Sequence, residues 1–152
     1  NLDRLYLVDE RGVIFKEVGP EDLFDIPVLT GLESEDLATN ESVSKKLIEK
    51  ALTILDEIKR RKALGVDQIS EINMNPHTGL TIFTLEDATQ IKLGFDDYEQ
   101  KLSHLKKVVT DLRERYKKAQ YINLNYGSKV YVKLDKTDMP RTLLALHERE
   151  GR

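Results

Sequence analysis

The hydrophobic positions of this chain change period several times, and each change marks an element. Residues 4–8 and 13–18 are apolar, β-prone runs joined by Asp9-Glu10-Arg11-Gly12. Gly12 is free to take positive φ, so a hairpin is predicted. Gly19-Pro20 stops the second run. Residues 21–40 read as a connecting loop whose apolar middle, Leu23-Phe24 and residues 26–29, is expected to be pinned to the core. From 41 to 64 the period becomes helical. Val43, Leu47, Ala51, Leu55 and Ile58 make one stripe, widened by Ile48, Leu52 and Ile54. Asn40 or Ser42 is the expected cap, the basic run 59–62 complements the helix dipole, and Gly65 is the expected stop.

Residues 68–74, 80–85 and 90–93 follow as three predicted antiparallel strands, the first two joined by the turn Asn75-Pro76-His77-Thr78-Gly79. Asp96, with Glu99 as its capping-box partner, is expected to open a second helix. Its predicted buried stripe is Tyr98, Leu102, Leu105, Val109, Leu112 and Tyr116. Two last strand-like runs, 121–126 and 129–134, flank Gly127-Ser128. In the second, Val130, Val132 and Leu134 share one face, and Lys129, Tyr131 and Lys133 the other. As the last strand it is a candidate sheet edge, able to accept a partner's strand; the pattern alone favours the alternatives, an interior strand or an edge merely protected by its lysines. Beyond 134 the pattern weakens; 142–146 reads as a short helix or strand and 148–152 as loose. The expected fold is α+β: a mostly antiparallel, curved β-sheet with two amphipathic helices packed on one face. Residues 1–134 form its one domain, and 135–152 a C-terminal extension, partly disordered.

Composition narrows the function classes. The 152 residues are 39% hydrophobic and 34% charged, with a net charge of −3 and no cysteine. That excludes disulfides and thiolate metal sites, and gives no strong field for nucleic acid or an anionic membrane. No apolar run approaches the ~18–20 residues needed to span a bilayer. The chain starts at Asn1, without Met, and is read as a piece of a longer protein.

The search for chemistry ends mostly in structural roles. His77, His104 and His147 are too scattered for a metal site. Asp96 and Asp97 read as helix-start residues, and Glu33, Glu35 and Asp36 lack the spacing of a calcium loop. No nucleophile elbow or phosphate-cradling glycine run is present. The expectation is no cofactor, no metal and no nucleic-acid partner; an enzyme stays open only through residues that converge in space.

Four segments in fixed order add a resemblance. They are Leu7-Val8-Asp9-Glu10-Arg11-Gly12-Val13-Ile14-Phe15, Ile26-Pro27-Val28-Leu29-Thr30-Gly31-Leu32, Ile91-Lys92-Leu93-Gly94 with Lys101-Leu102, and Tyr121-Ile122-Asn123-Leu124-Asn125-Tyr126. Together they resemble the extracytoplasmic β domain of the FtsQ/DivIB cell-division family. The resemblance implies a divisome scaffold whose domain follows a transmembrane helix and a POTRA domain. The implied location is the cell membrane, single-pass, with this domain extracytoplasmic (periplasmic in a Gram-negative organism). The implied partners are FtsB (DivIC in Gram-positive bacteria) and FtsL, and the implied role is to help recruit and regulate septal peptidoglycan synthesis. The implied binding segment is the last strand: Tyr126, Ser128, Lys129, Val130, Tyr131, Val132, Lys133 and Leu134. Tyr126 and Ser128 match residues of the family's segment, whereas Lys129 stands where some members have Gly. The resemblance also implies a non-enzymatic domain; the rival readings are an extracytoplasmic binding module unrelated to division and an enzyme with a cryptic site.

Overall fold

The computed structural model describes residues 5–22, 26–33, 35–36, 41–65 and 67–136. The expected Asn40 cap, Leu23-Phe24 and all of the C-terminal extension beyond residue 136 lie outside them. Ten elements follow in order: β1 (Tyr6–Val8), β2 (Ile14–Glu17), β3 (Val28–Thr30), α1 (Glu41–Arg61), β4 (Ile69–Asn75), β5 (Gly79–Thr84), β6 (Gln90–Gly94), α2 (Tyr98–Glu114), β7 (Ala119–Tyr126) and β8 (Lys129–Leu134).

The first two strands pair as the predicted hairpin, separate from the main sheet. Its turn closes because the Asp9 carboxylate accepts from the Arg11 and Val13 amides at 2.8 and 2.9 Å, and Gly12 sits at φ 81°. The main sheet has six strands in the order β3-β4-β5-β6-β7-β8. The predicted antiparallel meander β4-β5-β6 is present. The segment read as loop contains a strand instead: β3 runs parallel to β4. A second parallel pairing joins β6 to β7, and β7 and β8 form an antiparallel hairpin.

Those two parallel pairings decide where the helices lie. Each is a strand–helix–strand crossover, β3-α1-β4 and β6-α2-β7. In both, the strands run the same way and the step across the sheet has the same sense. Right-handed crossovers therefore put both helices on one face. The structure is an α+β sheet covered on one side, as the hydrophobic pattern predicts.

The core lies between this helix layer and the sheet. Helix α1 buries Leu47, Ile48, Ala51, Ile54 and Ile58, and α2 buries Leu102 and Leu105. They meet Ile72, Ile82, Ile91, Leu93 and Ile122, each at most 2% exposed. Each such side chain contributes roughly 1.5–3 kcal/mol. The stripe of α1 is centred closer to Ser44 than the pattern predicts: Ser44 is buried, its hydroxyl donating to the Asp36 carbonyl at 3.0 Å, while Val43 is exposed. Ser42 lies inside the helix and is not its cap.

Both helices end in a left-handed residue that is not glycine. In α1, Lys62 takes φ 53°, its amide bonds the Lys59 carbonyl, and the Ala63 amide bonds the Ile58 carbonyl. In α2, Tyr116 takes φ 54°, with the Tyr116 and Lys117 amides on the Arg113 and Leu112 carbonyls. This double closure satisfies the last carbonyls and needs no glycine at the turn. It corrects two expectations. Helix α1 stops before Gly65, and Tyr116 leaves the buried stripe to stand 90% exposed. A third correction concerns the start of α2. Asp97, itself left-handed, is the N-terminal boundary, and neither it nor Asp96 forms the expected capping box. Asp96 instead turns its carboxylate toward Lys101.

Candidate functional site: the edge strand β8

Strand β8 is the terminal strand of the six-stranded sheet. A tight Gly127-Ser128 turn, with Gly127 at φ 63°, returns the chain from β7, so Tyr126 pairs with Lys129. Farther along, Asn123 faces Tyr131, Ile122 faces Val132, Tyr121 faces Lys133 and Ala119 faces Leu134. The exposure of β8 alternates strictly, with Lys129, Tyr131 and Lys133 exposed and Val130, Val132 and Leu134 half-buried. The second set shares the face of buried Ile122, and Val130 and Val132 pack against the core. This is the alternation read from the sequence.

Beyond β8, no strand among the described residues pairs with its outer edge. Six residues of backbone therefore present alternate N–H and C=O groups outward. The strand at the opposite end of the sheet, β3, has only three residues.

The eight predicted residues thus fall on one hairpin, with Ser128 in its turn and the other seven on its strands. The structure adds residues that the sequence reading did not single out. On the face away from the helices, the register aligns Gln90, Tyr121 and Lys133 in one cross-strand row, and Lys92, Asn123 and Tyr131 in the next. The Tyr126 and Tyr131 rings meet edge to face, centroids 4.5 Å apart. Lys92 Nζ lies 5.3 Å from the centre of the Tyr121 ring. Tyrosines here offer apolar rings with polar tips, and lysines supply positive charge beside them. The signal for Tyr121 and Lys92 was their outward phase on predicted strands, but their neighbourhood depends on the parallel β6–β7 pairing.

Behind the hairpin lies a buried lysine. Lys101, in the first turns of α2, is 7% exposed. Its Nζ donates to the Leu93 carbonyl at 2.6 Å and to Asn125 Oδ1 at 3.1 Å, and lies 3.4 Å from Asp96 Oδ1. Next to it, the Tyr98 hydroxyl donates to the Gly94 carbonyl at 2.9 Å. Burial, and then the Asp96 charge, push the Tyr98 phenol up to about 12. Lys101 belonged to a recognised segment, but its burial was not visible in its residue type.

Among the described residues, no group of three or more His, Cys, Asp or Glu is placed to hold a metal ion, and no helix is long and apolar enough to cross a membrane. The arrangement offers an extended backbone edge flanked by aromatic and basic side chains.

A family described as "Cell division protein FtsQ/DivIB, C-terminal" matches residues 1–125. This chain belongs to the FtsQ/DivIB family. It is 34% identical over 134 residues to the cell division protein FtsQ of Syntrophotalea carbinolica, covering 88% of this chain and 48% of that protein. It shares 34% over 133 residues with FtsQ of Geotalea daltonii, again 88% of this chain and 48% of the relative. With FtsQ of Anaeromyxobacter sp. it shares 36% over 125 residues, 82% of this chain and 42% of the relative. The chain thus spans about half the length of the FtsQ relatives it matches. The family match stops at residue 125, where the β7–β8 hairpin begins to turn, so the edge is defined by the sheet's topology.

Proposed function

We propose that this FtsQ/DivIB domain is a non-enzymatic divisome scaffold that binds the extracytoplasmic segments of FtsB (DivIC) and FtsL. One partner segment adds a strand to the outer edge of β8. In this reading the whole protein is membrane-anchored through a single span, the domain lies outside the cytoplasm, and binding helps recruit and regulate septal peptidoglycan synthesis. The observation that carries the proposal is the six-residue terminal strand whose outer edge pairs with no strand among the described residues. Backbone hydrogen bonds along such an edge supply affinity, and alternate side chains supply selection. Val130, Val132 and Leu134 extend the core face toward an incoming strand, while Tyr126, Lys129, Tyr131 and Lys133 meet its other side. Family membership supports division as the setting.

Calorimetric titration with the extracytoplasmic FtsB and FtsL segments of the same organism tests this directly. Neighbouring residues of a strand point their N–H groups to opposite sides. Of Tyr131→Pro and Val132→Pro, one therefore removes an outward donor and the other a ladder bond to β7. The expected result is saturable binding by the wild-type domain, lost in the folded variant whose outward donor is gone. Unchanged affinity in both folded variants would remove β8 as the site. Binding only to proteins unrelated to division would assign the edge to a different kind of module.

A further inference from the structure

We propose that Lys101 is a positioning residue for the candidate edge: it holds Asn125 in a bulge of β7, and the bulge turns Tyr126 onto the open face beside Tyr131.

The argument starts from strand alternation. Asn123 lies opposite Tyr131 and shares its open face. In a regular strand Asn125 would also lie on that face, and Tyr126 would point toward the helices. The observed register differs. From Asn123 to Tyr126 the chain advances three residues, while the partner advances only two, from Tyr131 to Lys129. This is a one-residue bulge, and it inverts every side chain beyond it. Tyr126 is therefore on the open face, where its ring meets that of Tyr131 at 4.5 Å.

The bulge has an identifiable anchor. The Asn125 amide donates to Asn123 Oδ1 at 3.0 Å, which closes the bulge locally. Asn125 Oδ1 accepts from Lys101 Nζ at 3.1 Å. It also rests directly over Gly94, at φ 70°, where any Cβ would collide with it. An ammonium this deeply buried is tolerated only when its donors are matched. The Leu93 carbonyl, Asn125 Oδ1 and, more distantly, Asp96 are the acceptors present. Lys101 thus couples the end of β6, the start of α2 and the bulge. Without it, Asn125 loses a charge-assisted partner, and a one-residue slip that sends Tyr126 to the other face becomes competitive.

The first measurement needs no partner. In the wild-type domain, a nuclear Overhauser contact between the Tyr126 and Tyr131 rings is expected. Lys101→Met and Asn125→Ala should lose it, while slow amide exchange in β4 and β5 is kept. Asn125→Asp, which retains an acceptor for Lys101, should preserve it. Persistence of the ring contact in folded Lys101→Met and Asn125→Ala would overturn the proposal. Asn125 is exposed, so Asn125→Ala decides the matter if Lys101→Met does not fold. The consequence for partner binding rests on the function proposed above: Asn125→Ala should weaken it at least about tenfold if the edge must present Tyr126. Tight binding by a variant that has lost the ring contact would overturn that consequence. A wild-type domain that binds no partner would sink the proposed function and leave the ring measurement to judge Lys101.

Discussion

At the scale of single residues, the chemistry near the edge is set by groups whose surroundings are unusual for their type. Tyr98 is the measurable one. Its phenol is pushed up to about 12, from an ordinary 10, chiefly by burial. The unfolded chain therefore releases this proton first as pH rises. The stabilisation is complete below pH 10 and is lost as pH climbs through about 12. Between pH 9 and 11.5 the denaturation free energy of the wild type should fall more steeply than that of Tyr98→Phe, by about 1–2 kcal/mol. Parallel urea titrations check this, and equal slopes would show that Tyr98 is not the group responsible. Gly94→Ala is expected to cost more, about 2–4 kcal/mol, because it combines left-handed strain with a collision against Asn125. A thermal melt reads that loss. Tyr98 was legible as a member of the buried stripe, but the surroundings of Lys101 were not. Lysine at a helix start normally reads as solvent-facing, and only the fold brings the Leu93 carbonyl and Asn125 to Lys101.

At the scale of elements, periodicity was a good guide to type and a poorer one to ends. The alternation of residues 129–134 appears in the structure position by position, because a strand against one covered face has only two phases. The stripe of α1 was located, but Val43 was placed on the wrong side and Ser44 was not recognised as buried. A buried serine with a backbone partner carries no hydrophobic signal. Strand β3 escaped because three residues cannot establish a period, and its parallel partner Glu71–Asn73 lies more than forty positions away. Tyr116 was read as the last member of a stripe because the left-handed turn that expels it has no glycine to announce it. These distinctions predict where truncation matters. Ile82→Ala, in the sheet's interior at 0% exposure, should lose about 2–5 kcal/mol. Tyr131→Ala, on the exposed side of β8, should change stability by about 0.5–1 kcal/mol. Chemical denaturation of both variants compares the two roles, and a comparable loss in each would mean that β8 is part of the core and not a docking edge.

At the scale of the whole molecule, handedness and sheet order leave one sheet face without a helix among the described residues, and β8 at the rim. That arrangement could not be read from local pattern, since it follows from two parallel pairings between distant segments. The same topology gives a gradient of cooperativity. Strands β4 to β7 are paired on both sides, whereas the β1–β2 hairpin forms its own two-stranded sheet, touches the core through Val8, and leaves Leu5 54% and Phe15 62% exposed. Hydrogen exchange should be slowest in β5 and β6 and at least about a hundredfold faster in the hairpin. Uniform protection would show that the hairpin belongs to the same cooperative unit.

The two edge tyrosines have one more consequence. The chain has six tyrosines and no tryptophan, and half of those tyrosines, Tyr121, Tyr126 and Tyr131, stand on β7 and β8. With no indole to drain their excitation, ultraviolet emission from the unlabelled protein comes in large part from the candidate edge. Any strand that docks there changes the polarity around these rings, so the protein carries its own optical gauge of occupancy.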